Sequence, residues 1–182
     1  MIKLKHALVI GGTGMLSGVS IWLSENGYHV SVIGRNLKKM QRLLDQNPSQ
    51  MTPLFVDYTN NEELTKQSHR IQKKNGPIHL VIAWVHSTGQ NVIPCLTECL
   101  SRSEPCKLFH VNGSSSNLDE IKDKKKVPID VNYHQILLGF KIDNGISRWL
   151  TNEEISNGVI EAIAEEKFEQ IIGTIEPWDK RP

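Results

Sequence analysis

Short apolar runs alternate with helical patterns along most of this 182-residue chain. Seven of these runs have the length and the β-branched content of buried strands. They are Ala7–Ile10, Val30–Ile33, Pro53–Val56, Ile78–Val85, Lys107–Val111, Gln135–Ile142 and Gln170–Ile175. Strands that alternate with helices form parallel sheets that are covered on both faces. The sequence therefore predicts an α/β fold, a doubly wound and mostly parallel seven-stranded sheet in a single domain of residues 1–182.

Apolar residues at helical spacing and capping signals define the helices between these strands. The helical segments are residues 14–26 before Gly27, a stretch with Leu37, Met40, Leu43 and Leu44, residues 60–75 before Gly76, a stretch with Val92, Leu96, Cys99 and Leu100, and a last one with Ile155, Val159, Ile160 and Ile163. Thr151 and Glu154 have the spacing of a capping box for the last helix. The basic run within residues 122–126 is typical of a solvated loop, and a phosphate-contacting patch is the alternative.

The composition excludes several classes of protein. Lys and Arg number 21 and Asp and Glu number 20, so the formal net charge of +1 does not support nucleic-acid binding. The longest wholly apolar run, Leu80–Val85, is far shorter than a membrane span. Residues 1–6 contain no signal-peptide core. We therefore expect a cytoplasmic protein that binds neither nucleic acid nor a membrane.

The three cysteines, Cys95, Cys99 and Cys106, form neither a disulfide framework nor a metal-binding motif in this sequence. Their odd number and the lack of an export signal argue against disulfides. A metal site needs further thiolate or imidazole ligands at close spacing. We expect the cysteines to behave as small buried apolar residues, and we predict no metal.

A glycine-rich segment follows the first predicted strand and opens the first predicted helix. Its glycines at positions 11, 14 and 18 are spaced differently from those of the dinucleotide fingerprint G-x-G-x-x-G. A strand, a glycine loop and a helix in this order expose backbone N–H groups where a pyrophosphate binds. The sequence thus predicts a Rossmann-type dinucleotide site, formed by Gly11, Thr13, Gly14, Met15, Leu16 and Gly18.

The tip of the second predicted strand indicates which dinucleotide binds. Sites for NAD have an Asp or Glu there that binds the ribose hydroxyl groups, whereas this chain has Arg35 and Asn36. A guanidinium group can bind a 2′-phosphate through two hydrogen bonds. Lys38 and Lys39 add positive charge one helical turn later. These residues favour NADP over NAD, and an ordinary solvated arginine is the alternative for Arg35.

Asp57 ends the third predicted strand, beside the same predicted crevice. Its carboxylate could accept a hydrogen bond from the adenine amino group. The alternative is that Asp57 caps the helix of residues 60–75. The two roles are compatible in one residue, because one can use the backbone and the other the side chain.

Together these residues resemble the short-chain dehydrogenase/reductase family over roughly residues 5–116. The segment Gly11–Gly18 is similar to the cofactor loop of that family. Gly34–Asn36 is similar to the second-strand tip of its NADP-preferring members, and Asp57 falls where the family has its adenine-contacting aspartate. The resemblance implies an NADP-binding fold of this kind.

The resemblance extends to the end of the fifth predicted strand. Val111–Ser116 is similar to the segment that carries the catalytic serine of the family. Ser115 is the best match for that serine, and Ser114 is the next.

Two departures set this chain apart from the family. Trp84 and His86 lie in the segment that is normally an Asn-Asn-Ala-Gly-like element. The Tyr-x-x-x-Lys pair of the family is missing, because Tyr133 is followed four residues later by Leu137 and the next lysine is Lys141. The resemblance is therefore to a truncated or atypical member that lacks this acid/base pair.

The function that these residues favour is an NADP(H)-dependent oxidoreductase. It would transfer a hydride between the nicotinamide and a small carbonyl-type substrate. The candidate catalytic residues are Ser115, His86 and Tyr133. An imidazole suits proton donation near neutral pH, although an ordinary polar loop residue is the alternative for His86. Ser115 could orient the substrate or cap a turn, and Trp84 could shield the nicotinamide or pack in the core.

A non-catalytic NADP(H)-binding module or redox sensor is the alternative function. Such a protein keeps the cofactor loop and dispenses with the acid/base pair. A methyltransferase is disfavoured, because its site needs an acidic residue where this chain has Arg35. The residues do not define the oligomeric state, and the resemblance allows a homo-oligomer.

Overall fold

The computed structural model describes residues 4–114 and 127–182. The strands in these ranges are β1 (Lys5–Ile10), β2 (Tyr28–Ile33), β3 (Met51–Leu54), β4 (Ile78–Trp84), β5 (Cys106–Asn112), β6 (Val131–Leu138), β7 (Phe140–Asp143), β8 (Ile146–Trp149) and β9 (Glu169–Ile172). The helices are α1 (Ser17–Glu25), α2 (Leu37–Leu44), α3 (Asn61–Asn75), α4 (Val92–Cys99) and α5 (Asn152–Ala164). The predicted α/β fold is confirmed.

Seven strands form one parallel sheet in the order β3-β2-β1-β4-β5-β6-β9. Strands β7 and β8 form a separate antiparallel hairpin. The strand order reverses between β1 and β4, and in doubly wound sheets ligands bind at the carboxyl ends of the strands beside such a point. The topology therefore predicts a ligand site at the segments that follow β1, β2 and β4.

Both faces of the sheet are covered by helices, as the sequence predicts. Apolar side chains of α1, α2 and α5 pack on one face, and those of α3 and α4 pack on the other. Successive strand residues point to opposite faces, so Leu8 and Val9 of β1 belong to the two different clusters. Both are fully buried, which explains why the central strands have uninterrupted apolar sequences.

Capping side chains define the starts of three helices. Asn36 and Asn60 accept hydrogen bonds from the backbone N–H groups of Lys39 and Glu63. The predicted capping box is confirmed, because Thr151 and Glu154 exchange both of its hydrogen bonds. Helix α1 begins at Ser17 rather than at residue 14 as predicted, because residues 14–16 form the turn that precedes it.

The predicted strand Gln135–Ile142 is wrong, since two strands occupy this segment. The chain leaves the large sheet at Gly139, where an added Cβ would lie 2.2 Å from the carbonyl oxygen of Thr174. Only glycine allows the two backbones to pass so closely. Beyond it, Asn144 and Gly145 both have positive φ and connect β7 to β8. An Asn-Gly pair is a strong hairpin signal that our strand prediction left out.

The edge strands also differ from their predicted limits. The third strand spans Met51–Leu54 rather than 53–56, and the last spans Glu169–Ile172 rather than 170–175. Pro53 is tolerated because β3 is an edge strand, where a missing N–H breaks no second ladder. Gly173, with a φ of 80°, follows the last residue of β9.

The three cysteines form no disulfide among the described residues. Cys95, Cys99 and Cys106 are free thiols, and the last two are buried. Across residues 4–114 and 127–182, no three or more His, Cys, Asp or Glu side chains are grouped so that they could hold a metal ion. None of the helices in those ranges combines the length and the apolar character that crossing a membrane requires.

Histidine 6 is buried at the amino-terminal end of the sheet. Its ring nitrogens lie 2.8 Å from the Gly76 carbonyl oxygen and 2.8 Å from the Ser31 hydroxyl. The pKa of His6 is lowered to about 4, mainly by burial and to a smaller extent by the nearby His29 and His79. The folded state therefore holds His6 in its neutral form.

We expect the free energy of unfolding to decrease as the pH falls from about 6.5 towards 4. The unfolded chain binds a proton at His6 in this window and the folded chain does not, so the loss reaches about 3 kcal/mol. Above the unfolded pKa the contribution of His6 is fully present. Urea unfolding at several pH values measures this slope. His6→Gln should flatten it and the exposed control His69→Gln should not; equal slopes in all three proteins would contradict the assignment.

Candidate functional site

The glycine loop between β1 and α1 is tightly folded against the sheet. Gly11 has a φ of 83°, and an added Cβ would lie 3.2 Å from the Cβ of Trp84. At Gly12 an added Cβ would come within 2.6 to 2.9 Å of the side chains of Ser20, Val32 and Val9. These two glycines are therefore required by the turn and by the packing beneath it.

Gly14 differs from them, because among the described residues an added Cβ would meet only the Gly11 carbonyl oxygen, at 4.0 Å. The helix that follows has no side-chain cap and no acidic residue in its first turn. A helix N-terminus of this kind attracts an anion through its N–H groups and its dipole. The loop thus leaves open space beside Gly14, next to the positive end of α1.

The other predicted loop residues have structural roles. Leu16 is fully buried in the core, so only its backbone can reach a ligand. The Met15 carbonyl oxygen accepts a hydrogen bond of 2.8 Å from the Ser156 hydroxyl of α5. At Gly18 an added Cβ would lie 2.8 Å from the Cβ of Ser156, so this glycine allows α1 and α5 to pack closely.

Thr13 connects the glycine loop to the tip of β2. An added Cβ at Gly34 would lie 2.9 Å from the Cγ2 atom of Thr13, so these residues are in close contact. Arg35 follows Gly34 and is exposed. The Asn36 side chain accepts a hydrogen bond of 3.0 Å from the Lys39 backbone and caps α2. The structure therefore brings Arg35 next to the loop.

Arg35 forms an ion pair with Asp57, the residue predicted to contact adenine. Their Nη1 and Oδ2 atoms are 3.4 Å apart, and the two side chains are 68% and 47% exposed. Exposed pairs of this kind contribute at most about 1 kcal/mol. An incoming phosphate can therefore compete with Asp57 for the guanidinium group.

The Asp57 carboxylate is held chiefly by Thr59. It accepts hydrogen bonds from the Thr59 hydroxyl at 2.7 Å and from the Thr59 backbone N–H at 3.0 Å. These bonds, with a smaller contribution from Arg35, lower the pKa of Asp57. The predicted alternative that Asp57 caps the helix after β3 is wrong, because Asn60 caps α3.

A cleft of about 700 Å³ lies at the carboxyl ends of β2, β3 and β4. Its lining residues are Arg35, Asp57, Tyr58, Thr59, His86 and Thr88. The His86 backbone N–H donates to the Tyr58 hydroxyl at 3.4 Å. The His86 ring lies edge-on to the Trp84 ring, with 5.8 Å between the ring centres. His86, which is predicted to be catalytic, therefore lines the same cleft as Arg35 and Asp57, which are predicted to bind the cofactor.

Trp84 connects the glycine loop to the end of β5. Its Cβ lies against Gly11, and its Cη2 atom is 3.6 Å from the position of an added Cβ at Gly113. The indole side chain therefore extends along the carboxyl edge of the sheet between these two glycines. It also packs against the apolar cluster on the α1 face, so the predicted packing role is confirmed.

Of the two candidate serines, Ser114 lies within the described residues and Ser115 lies outside them. Ser114 follows β5 by two residues, and its hydroxyl accepts a hydrogen bond of 2.9 Å from Arg181. Arg181 is not among the site residues that the sequence predicts. No local pattern identifies it, because 67 positions separate the two residues.

Tyr133 is not brought to this edge. It pairs with Leu108 of β5, four residues before the strand ends at Asn112, or about 13 Å along the strand. Its hydroxyl shares a hydrogen bond of 2.8 Å with the His110 ring, and burial raises its pKa far above the ordinary value. Lys141 forms an ion pair with Glu154 at 2.7 Å. No interaction in the described residues joins Tyr133 to Lys141.

No protein-family model and no curated protein matches this sequence. Solved structures do match it. YwfH, an NADPH-dependent reductase involved in bacilysin biosynthesis, has a TM-score of 0.73 and 14% identity, over 94% of this chain and 100% of that one. An alcohol dehydrogenase from the archaeon Thermococcus sibiricus, complexed with 5-hydroxy-NADP, has a TM-score of 0.69 and 12% identity, over 92% and 95% of the two chains.

A short-chain dehydrogenase from Streptomyces avermitilis is also similar, with a TM-score of 0.70 and 12% identity, over 95% of this chain and 89% of that one. Identities this low establish the fold alone. The chain therefore has the fold of the short-chain dehydrogenase/reductase structures, as its sequence resemblance implies. Its activity must be argued from its own residues.

Proposed function

We propose that this protein is an NADP(H)-binding oxidoreductase that transfers a hydride between the nicotinamide and a small carbonyl-type substrate. The cleft that joins Arg35, Asp57 and His86 beside the glycine loop carries the proposal. It puts a cation where a 2′-phosphate would distinguish NADP from NAD. Two proteins of similar structure, an NADPH-dependent reductase and an alcohol dehydrogenase complexed with 5-hydroxy-NADP, support this cofactor.

The residues of the loop fit a dinucleotide. The open space beside Gly14 adjoins an α1 N-terminus without a capping side chain, which suits a pyrophosphate. Arg35 is exposed, and in the part of the chain that the structure describes its ion pair is the weak one with Asp57. Thr13 and Asn36 flank this cation, and exposed Lys38 and Lys39 add charge nearby. The donors thus match the charge distribution of NADP.

The bound cofactor would supply the hydride from its nicotinamide ring. Reduction of a carbonyl also requires a proton. Among the predicted candidates, we assign this role to His86, because it follows β4 at the carboxyl edge and contacts Trp84. Ser115 would orient the substrate carbonyl. Trp84 would exclude water between these two groups.

A non-catalytic NADP(H)-binding module or redox sensor is the second candidate function. One observation favours it. Tyr133 lies away from the crevice, and no interaction in the described residues joins it to Lys141. A protein without that pair could bind the cofactor and report its redox state.

Two measurements on the purified protein separate these functions. Titration with NADPH, followed by fluorescence, should give a dissociation constant in the micromolar range. The loss of NADPH absorbance with small aldehydes, ketones and quinones then tests turnover. Turnover that falls strongly in His86→Gln but not in the exposed control His69→Gln would support the oxidoreductase. Tight binding without turnover on any acceptor would favour the sensor, and absence of binding would contradict both.

A further inference from the structure

Arg181 lies against two tryptophan side chains at the carboxyl edge of the sheet. Its guanidinium carbon lies 4.2 Å from the ring centre of Trp178 and 5.7 Å from that of Trp149. Its Nη2 atom donates to the Ser114 hydroxyl at 2.9 Å. Three distant segments thus meet at this cation: the β5 end, the end of β8 and the segment after β9.

The charge of Arg181 is not neutralised in the described part of the chain. Arg35 pairs with Asp57, and Arg148 pairs with Asp143 and Glu154. By contrast, none of the ion pairs among residues 4–114 and 127–182 includes Arg181. Its Nε–H group is buried and has no hydrogen-bond partner among the described residues. A buried donor without an acceptor costs about 1 to 3 kcal/mol, so the arrangement calls for an acceptor.

The position of this cation relates it to the proposed chemistry. Ser114 follows Gly113, which contacts one end of the Trp84 indole, and the glycine loop contacts the other end. The cation and the proposed cofactor loop are therefore separated by one tryptophan side chain along the same edge. A substrate bound between them would have its reacting group towards Trp84 and the glycine loop and its other end at Arg181 and Ser114.

We propose that Arg181, with Ser114 and the walls of Trp149 and Trp178, binds the carboxylate of the substrate. The inference rests on the proposed function and narrows its substrate to carbonyl compounds that carry a carboxylate, such as small oxo acids. A guanidinium group forms two parallel hydrogen bonds with a planar carboxylate. The faces of the two indole rings attract the positive charge of the guanidinium group and help to hold it in place.

Calorimetric titration, with the fluorescence of Trp149 and Trp178 as a second readout, tests this subsite. The probes are acetate, 2-oxobutanoate and 3-oxobutanoate, with neutral butanone and inorganic phosphate as comparisons, all in the presence of NADP⁺ so that no hydride is available. We expect the oxo acids to bind and butanone not to bind. Arg181→Gln should weaken oxo-acid binding at least about tenfold. Arg181→Lys should recover part of the affinity, because it restores the charge without the planar fork.

Arg102→Gln, a change at an exposed arginine, is the matched control and should change nothing. Thermal unfolding checks that each variant is folded. If none of the three carboxylates binds, or if Arg181→Gln binds them as the wild type does, the subsite is refuted. If phosphate binds more tightly than every carboxylate and depends on Arg181, the assignment to a carboxylate is refuted.

The cofactor is tested separately in the same proteins. Arg181→Gln should bind NADPH with unchanged affinity, since Arg181 is not among the residues that line the Arg35 cleft. Oxo-acid binding that depends on Arg181 in a protein that does not bind NADPH would support the subsite and overturn the proposed function. NADPH binding without oxo-acid binding would refute the subsite and support the proposed function.

Discussion

Replacing Gly14 with valine should abolish the binding of both NADPH and NADH while the protein stays folded. Within residues 4–114 and 127–182, an added Cβ at Gly14 would meet only the Gly11 carbonyl oxygen at 4.0 Å, and the φ of Gly14 is outside the left-handed region. The Cβ of a valine therefore clashes with no atom in the described part of the chain. Its methyl groups would instead fill the space through which a pyrophosphate approaches the N-terminus of α1.

Titration of the variant with both dinucleotides measures this effect, and urea unfolding measures its stability. Gly12→Val is the informative contrast, because its Cβ would come within 2.9 Å of three buried side chains. That variant should lose stability by about 1 to 3 kcal/mol or fail to fold. Unchanged dinucleotide binding in Gly14→Val would exclude the glycine loop as the cofactor site.

Replacing Arg35 with alanine should weaken NADPH binding by about 10- to 100-fold and leave NADH binding nearly unchanged. The guanidinium group lies at the tip of β2, next to the glycine loop, and its only ion pair in the described residues is the exposed one with Asp57. The 2′-phosphate is the sole group that NADPH has and NADH lacks. The loss should therefore appear only with the phosphorylated cofactor.

The salt dependence of binding provides a second readout for Arg35. A charge interaction at a side chain that is 68% exposed is screened by salt, so the preference for NADPH should decline as the ionic strength rises. Arg42→Ala, at an exposed arginine of α2, is the matched control. Equal losses with NADPH and NADH in Arg35→Ala would refute the assignment to the 2′-phosphate.

Much of the fold could be predicted because its signals are local. The buried apolar runs indicate the central strands, and Thr151 with Glu154 indicates the start of α5, since these patterns depend on neighbouring residues. The break at Gly139 could not be predicted in this way. It results from close contact with the backbone of Thr174, which is 35 residues away in sequence (174 − 139).

In the candidate site, too, the local features can be predicted from the sequence and the contacts between distant segments cannot. The glycine loop and Arg35 are recognisable from the sequence, because each lies directly after a strand whose carboxyl end faces the crevice. The sequence does not reveal that His86 shares a cleft with Arg35, nor that Tyr133 lies away from the sheet edge. Those relations depend on the register and the order of the strands.

The sequence alone thus determined the alternation of strands and helices, the glycine loop and the cation at the tip of β2. Hydrophobic period, capping and turn chemistry act over a few residues, so a linear pattern contains them. Only the tertiary structure brought Arg181 to Ser114 and set Gly18 against Ser156. Such contacts join residues far apart in the chain, and they arise only when parallel strands align their carboxyl ends and the helices pack across one sheet.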